Sequence, residues 1–224
     1  AIAAGAREIA VVLSATDTMN RKNINMSLAD AARVSEETLI AAQRAGLRTR
    51  AYVAVAFECP FEGVTDIQPV VELSERMAAA GAGEIVIADT IGAAGPAQVR
   101  DRLAILKQSI PLDVLALHLH DTRGLGTALA WAGIEAGIRR FDSSTAGLGG
   151  CPFAPGAAGN LATEDLVLMA EQAGFATGID ADRLVAAIEY VEGKLLRPLG
   201  GRSMTWFRKR RARLAAEQAQ AQAA

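Results

Sequence analysis

Five short β-rich segments alternate with longer helical stretches along this chain, and that rhythm restricts the fold more than any other feature. Strands are predicted at 8–13, 50–55, 84–88, 114–120 and 140–142. Helix patterns run over 28–45, with Ser27 as N-cap and Gly46 as the stop, over 67–80, over 96–108 opening on Pro96, and over 125–136 before Gly137. Two more, over 163–173 and 181–195, close the ordered part, and Glu164 with Asp165 sit where carboxylates favour a helix N-terminus. Strand, helix, strand at this spacing implies βαβ units on a parallel sheet, either a (β/α) barrel or a doubly wound sheet. Asp89, His118 with His120, and Asp142 each fall at or just past the C-terminal end of a different strand, where barrel enzymes keep their chemistry. A doubly wound sheet would carry a Gly-rich turn after its first strand, and none is present. Five strands do not close an eight-stranded barrel. The expected fold is therefore α/β, an incomplete (β/α)8 TIM barrel of about five βα units with a helical C-terminal extension.

The chain is 51% hydrophobic and 21% charged with a net charge of -2, which supplies ample core and excludes extended disorder. The domain reading is one partial barrel over 1–200 and a basic, Ala/Gln-rich tail over 201–224. Cys59 and Cys151 are too few for a disulfide framework, which favours a reducing, cytoplasmic location. No run of about 18 apolar residues suggests a membrane span. The opening residues lack a signal-peptide layout and read as the end of a helix running into a strand, so the chain is expected to begin mid-fold.

His118 and His120 are the two histidines of the chain. On a strand this spacing turns both imidazoles to one side, where they can grip one cation; the bland alternative is two unrelated polar positions at a strand end. The segment after the last strand, Gly147-Leu148-Gly149-Gly150-Cys151-Pro152-Phe153-Ala154-Pro155-Gly156, is rich in glycine and carries a single thiol. A cysteine on such a loop can serve as general acid or base. Phosphate cradling is the competing reading, but the P-loop spacing and its Lys are absent.

Together with His118-Leu119-His120-Asp121-Thr122, Asp89-Thr90-Ile91-Gly92, Lys22-Asn23-Ile24-Asn25 and Asn160-Leu161-Ala162-Thr163-Glu164-Asp165, that loop resembles 3-hydroxy-3-methylglutaryl-CoA lyase. The similarity runs in order over about 1–195. It implies a (β/α)8 barrel that binds Mg²⁺ or Mn²⁺ and splits 3-hydroxy-3-methylglutaryl-CoA into acetyl-CoA and acetoacetate. By the resemblance His118, His120 and the side-chain oxygen of Asn160 are metal ligands, and Cys151 acts in proton transfer with His118 as its alternative or partner. Asp89 divides between catalytic work and a structural bond to a neighbouring loop. Asn23 is put forward as a substrate-binding residue. Two imidazoles with oxygen ligands suit a six-coordinate divalent ion able to hold a hydroxyl and an adjacent carbonyl or carboxylate oxygen.

Two departures accompany the resemblance. Relatives carry an Arg-Asp pair on their first strand that completes the metal site and stabilises the enolate; that strand is absent here, so this chain alone is expected to be a weakly active or inactive fragment. Arg123 stands where relatives often carry Tyr, either to pair with a substrate carboxylate or to neutralise Asp121. It keeps a sister substrate such as citramalyl-CoA open, beside a non-catalytic remnant. Claisen-condensing synthases share the H-x-H strand, but the Gly-rich Cys151 loop argues against them.

The basic stretch from Arg202 to Arg213, with Trp206 and Phe207, reads as a solvated or frayed helix rather than a nucleic-acid surface. Cys59, just before Pro60, reads as a packed thiol near the barrel rim. The expected partners are an acyl-CoA substrate and a second copy in a homo-oligomer, a dimer, with neither nucleic acid nor membrane.

Overall fold

A computed structural model describes residues 1–150 and 159–223. It divides into two compact units, the first holding Ala1–Asp142 and the second Ser143–Gly149 with the residues from Gly159 onward. In the first unit the order is β1 (Glu8–Ser14), α1 (Asp17–Ile24), α2 (Leu28–Arg44), β2 (Arg48–Ala54), the short strands β3 (Glu58–Cys59) and β4 (Gly63–Val64), α3 (Ile67–Ala79), β5 (Glu84–Asp89), α4 (Pro96–Leu106), β6 (Leu115–Leu119), α5 (Gly126–Glu135) and β7 (Phe141–Asp142). Five strands form one parallel sheet in the order β1-β2-β5-β6-β7, and β3 pairs antiparallel with β4. Each predicted strand is present to within two residues of its predicted ends.

Local chemistry sets these boundaries. Ser27 accepts from the Asp30 amide at 3.1 Å and Asp66 from the Gln68 amide at 3.0 Å, capping α2 and α3. Pro96 occupies the first turn of α4, where its missing N–H costs nothing. Gly46, at φ 73°, takes the left-handed turn that ends α2. Ile85, Ile87, Leu115 and Leu117 of the central strands are fully buried, as are Leu39, Met77, Leu103 and Leu129 on the helices that flank the sheet. Burying each such side chain contributes about 2 kcal/mol. In β1 the apolar residues alternate, Val11 and Leu13 buried and Val12 exposed, as expected where one strand face lacks cover.

Helix α1 and the β3–β4 hairpin were not anticipated from sequence. Helix α1 has a low share of apolar positions, with Met19 and Asn20 buried. It is anchored by Asn20, whose side chain accepts from the Ser14 amide at 2.8 Å and donates to the Ser14 carbonyl at 2.8 Å. The hairpin is clipped by Arg102 of α4, which donates to the carbonyls of Ala56 and Thr65.

The second unit contains a bridge pairing Ser144 with Ala162, then α6 (Thr163–Gln172), α7 (Ala181–Leu195) and α8 (Met204–Ala223). Glu164 and Asp165 do lie in the first turn of α6, and they also receive the backbone amides of Gly201, Arg202 and Ser203. The tail folds as a continuous helix whose Met204 and Phe207 pack on Val185 and Ile188 of α7. Arg208 and Arg211 pair with Glu192 and Glu189 of α7 at 2.6 and 3.0 Å. No helix among the described residues is long and apolar enough to cross a membrane.

Candidate functional site

The alternation of a strand places one row of side chains on each face. In β6 this puts His118 and, one step past the strand end, His120 on the same face, and their Nε2 atoms stand 3.2 Å apart. His120 is buried at 5% exposure and His118 is partly open. The register pairs His118 with Asp142 of β7 and Arg50 of β2 with Glu84 of β5. The same face therefore gathers a polar network from four neighbouring strands.

Asp142 is its hub. One carboxylate oxygen accepts from Arg50 Nη2 at 2.7 Å; the other accepts from the Tyr52 hydroxyl at 2.6 Å and lies 3.2 Å from His118 Nδ1. Arg50 also donates through Nε to Glu84 at 2.6 Å, and Arg140 stands 3.6 Å from the other Glu84 oxygen. The Tyr52 ring meets the His118 ring edge-on, with centroids 5.9 Å apart. Burial alone would raise the Asp142 pKa, but the bonds from His118, Tyr52 and Arg50 outweigh it and hold the carboxyl well below the usual range. Burial and the adjacent Asp142 push the Tyr52 hydroxyl well above its ordinary value, so it stays protonated. Arg50 loses hydration on burial, yet its bonds to Asp142 and Glu84 keep it firmly charged.

A divalent cation fits the two imidazoles. Nitrogens bonded at about 2.1 Å to one ion at right angles lie roughly 3 Å apart, close to the observed spacing. A carboxylate behind one ligand histidine is the usual second partner in such sites. Among the described residues no third His, Cys, Asp or Glu joins them in a metal-sized group.

The other expected residues distribute as follows. Asp89 is fully buried, and its two oxygens accept from the amides of Ala93 and Ala94 at 2.9 and 3.1 Å. Burial raises its pKa, against the pull of those two amides. Arg123 is half exposed; it donates to the Ala93 carbonyl at 3.3 Å and stands 3.6 Å from Glu58. Asn23 lies near the C-terminal end of α1, partly exposed. Asn160 belongs to the second unit, where its Nδ2 donates to the Leu148 carbonyl at 2.8 Å, leaving the side-chain oxygen outside that bond. Cys151 lies outside the described residues. Sequence reasoning did not single out Arg50, Tyr52 or Glu84, although the R-x-Y spacing on a predicted strand was a readable sign of two polar side chains on one face.

A parallel sheet flanked by helices, with its histidines at the C-terminal end of a strand, has the layout of a (β/α) barrel enzyme, here as an incomplete barrel. The HMGL-like family matches residues 1–191, and the chain belongs to that family. Hydroxymethylglutaryl-CoA lyase YngG of Bacillus subtilis is 42% identical over 208 residues, covering 93% of this chain and 70% of that protein. The (R)-citramalyl-CoA lyase of Chloroflexus aurantiacus is 41% identical over 199 residues, covering 89% and 63%. An HMG-CoA lyase from Acinetobacter baumannii, solved with coenzyme A and 3-methylmalate, superposes with a TM-score of 0.86 at 39% identity, covering 91% of this chain and 67% of that one. The chain spans 59% of the bovine mitochondrial hydroxymethylglutaryl-CoA lyase.

Proposed function

We propose that this protein is a divalent-metal-dependent carbon–carbon lyase that cleaves 3-hydroxy-3-methylglutaryl-CoA to acetyl-CoA and acetoacetate. The observation that carries the reading is the convergence of His118 and His120 Nε2 at a strand end, in a chain whose relatives include named lyases of such thioesters.

A divalent cation held by these residues would supply Lewis acidity to the substrate hydroxyl, easing loss of its proton. When that proton passes to a base, a carbonyl forms at C3, the C2–C3 bond breaks, and its electron pair stays on the thioester carbon, which must then take a proton. His118 and His120 would hold the ion. With Nδ1 against Asp142 and Nε2 turned toward His120, His118 is placed to act as a ligand. The Cys151 thiol, to which the family resemblance gives proton transfer, is the proposed donor to the departing carbon. Asp89, whose two oxygens accept from backbone amides, shapes the loop after β5.

A second reading rests on Arg123, whose half-exposed guanidinium can pair with a carboxylate. It favours a substrate with a differently placed acid, such as citramalyl-CoA. The deciding experiment strips the protein of metal and assays both thioesters with and without Mn²⁺ or Mg²⁺. The assay is run on this chain and on one extended at its N-terminus by the first strands of a relative, each with and without Cys151→Ala and His120→Ala. Metal-dependent release of acetyl-CoA from the first thioester, lost in both variants, supports the proposal. Cleavage of citramalyl-CoA alone moves the assignment to the second reading, and inactivity of the extended chain on both thioesters rejects it.

A further inference from the structure

We propose that Asp142 is a positioning residue, braced by Arg50 and Tyr52, that fixes His118 as its Nδ1–H tautomer and so presents the Nε2 lone pair beside His120 Nε2. This deepens the reading of the same site and rests on it. An ionised carboxylate can only accept, so each group bonded to it must donate. Arg50 donates to one oxygen at 2.7 Å and the Tyr52 hydroxyl to the other at 2.6 Å. His118 Nδ1, 3.2 Å from that second oxygen, must then carry the imidazole proton, and in a neutral ring Nε2 is left as the acceptor or ligand atom. At 3.2 Å from it, His120 Nε2 supplies the matching hydrogen in the metal-free protein.

The brace extends further than the pair. Arg50 is itself held by Glu84 at 2.6 Å, so the orientation of one imidazole is referred to side chains on β2, β5 and β7. Tyr52 limits ring rotation as well, since its ring stands edge-on to His118 at 5.9 Å. A carboxylate placed merely to neutralise Arg50 would need neither the tyrosine hydroxyl nor the histidine.

Because the chain has two histidines, long-range ¹H–¹⁵N spectra of the whole metal-free protein, at about pH 8 where an ordinary imidazole is neutral, read the tautomer directly. His120→Gln assigns the signals. The expected result is Nδ1–H for His118 in the native protein, conversion toward Nε2–H in Asp142→Asn, whose amide nitrogen donates to Nδ1, and recovery in Asp142→Glu. Mn²⁺ retention followed by electron paramagnetic resonance should weaken about 10–100-fold in Asp142→Asn. An Nε2–H tautomer in the native protein overturns the inference without any variant, as does an unchanged tautomer in a folded Asp142→Asn. A native Nδ1–H tautomer without Mn²⁺ retention overturns the metal reading instead.

Discussion

His118 and His120 meet through their Nε2 atoms at 3.2 Å, two residues apart in sequence and on one face of the sheet. The contact brings both Nε2 atoms within reach of one cation, once the shared hydrogen is released. Substituting either by Ala should therefore abolish Mn²⁺ retention, a larger effect than the roughly 10–100-fold loss expected for an outer partner. Equilibrium dialysis or electron paramagnetic resonance against the native chain checks this. If single variants retained native affinity, the pair would be a packing feature and not a metal grip.

Asn20 carries a comparable load for stability. Fully buried, it accepts from the Ser14 amide and donates to the carbonyls of Ser14 and Thr16 at 2.8 and 3.0 Å. Asn20→Ala would strand one amide and weaken two carbonyls out of water, a cost of about 3 kcal/mol. Asn20→Asp should cost as much, since a carboxylate cannot donate to either carbonyl and brings a buried charge. Urea unfolding of both variants measures the loss. A change below about 0.5 kcal/mol would mean that water replaces the side chain.

How much of this was legible in the sequence follows from where the information lies. Strands such as Glu84–Asp89 and helices such as Ile67–Ala79 announce themselves by apolar runs, periodicity and caps, so the parallel sheet was readable. Helix α1 was not, because its hold on the sheet is one buried amide and not an apolar stripe. The histidine pair was visible as a local spacing. Its network was not, because Arg50 and Tyr52 lie about 90 residues before Asp142 and meet it only through the strand order β2-β5-β6-β7. Asp89 sits at a strand end like His118, and sequence left catalytic work and a bond to a neighbouring loop both open; its oxygens accept from the loop amides of Ala93 and Ala94.

Asp89 makes a pH prediction with a definite sign. Its folded pKa lies above the ordinary carboxylate value of 3.8 because burial penalises the charge, despite the amides of Ala93 and Ala94. The folded state thus binds this proton more tightly than the unfolded chain. The group lowers stability at neutral pH, and the penalty is relieved as pH falls through the raised pKa toward 3.8. Asp89→Asn removes this dependence. The melting temperature of the native protein should therefore gain on that of Asp89→Asn as pH is lowered toward 4. A difference between the two that is flat with pH, or that shrinks on acidification, would show that the two amides outweigh burial.

Arg102 supplies the last test, because it links a buried charge to the loop beside Arg123. At 7% exposure it donates to Ala56 and Thr65 and stacks over the Phe57 ring at 5.6 Å, while burial lowers its pKa. Between its two acceptors runs the hairpin that carries Glu58, which stands 3.6 Å from Arg123. Arg102→Met keeps the apolar stem but strands two carbonyls, so the cost should be about 2 kcal/mol. Its effect should be local first: faster amide exchange over residues 56–65 with the central strands unchanged. Arg102→Lys, able to reach one carbonyl at a time, should fall between. Uniform exchange across the first unit in Arg102→Met would show that the guanidinium supports the whole sheet, and that Glu58 does not depend on it in particular for its place beside Arg123.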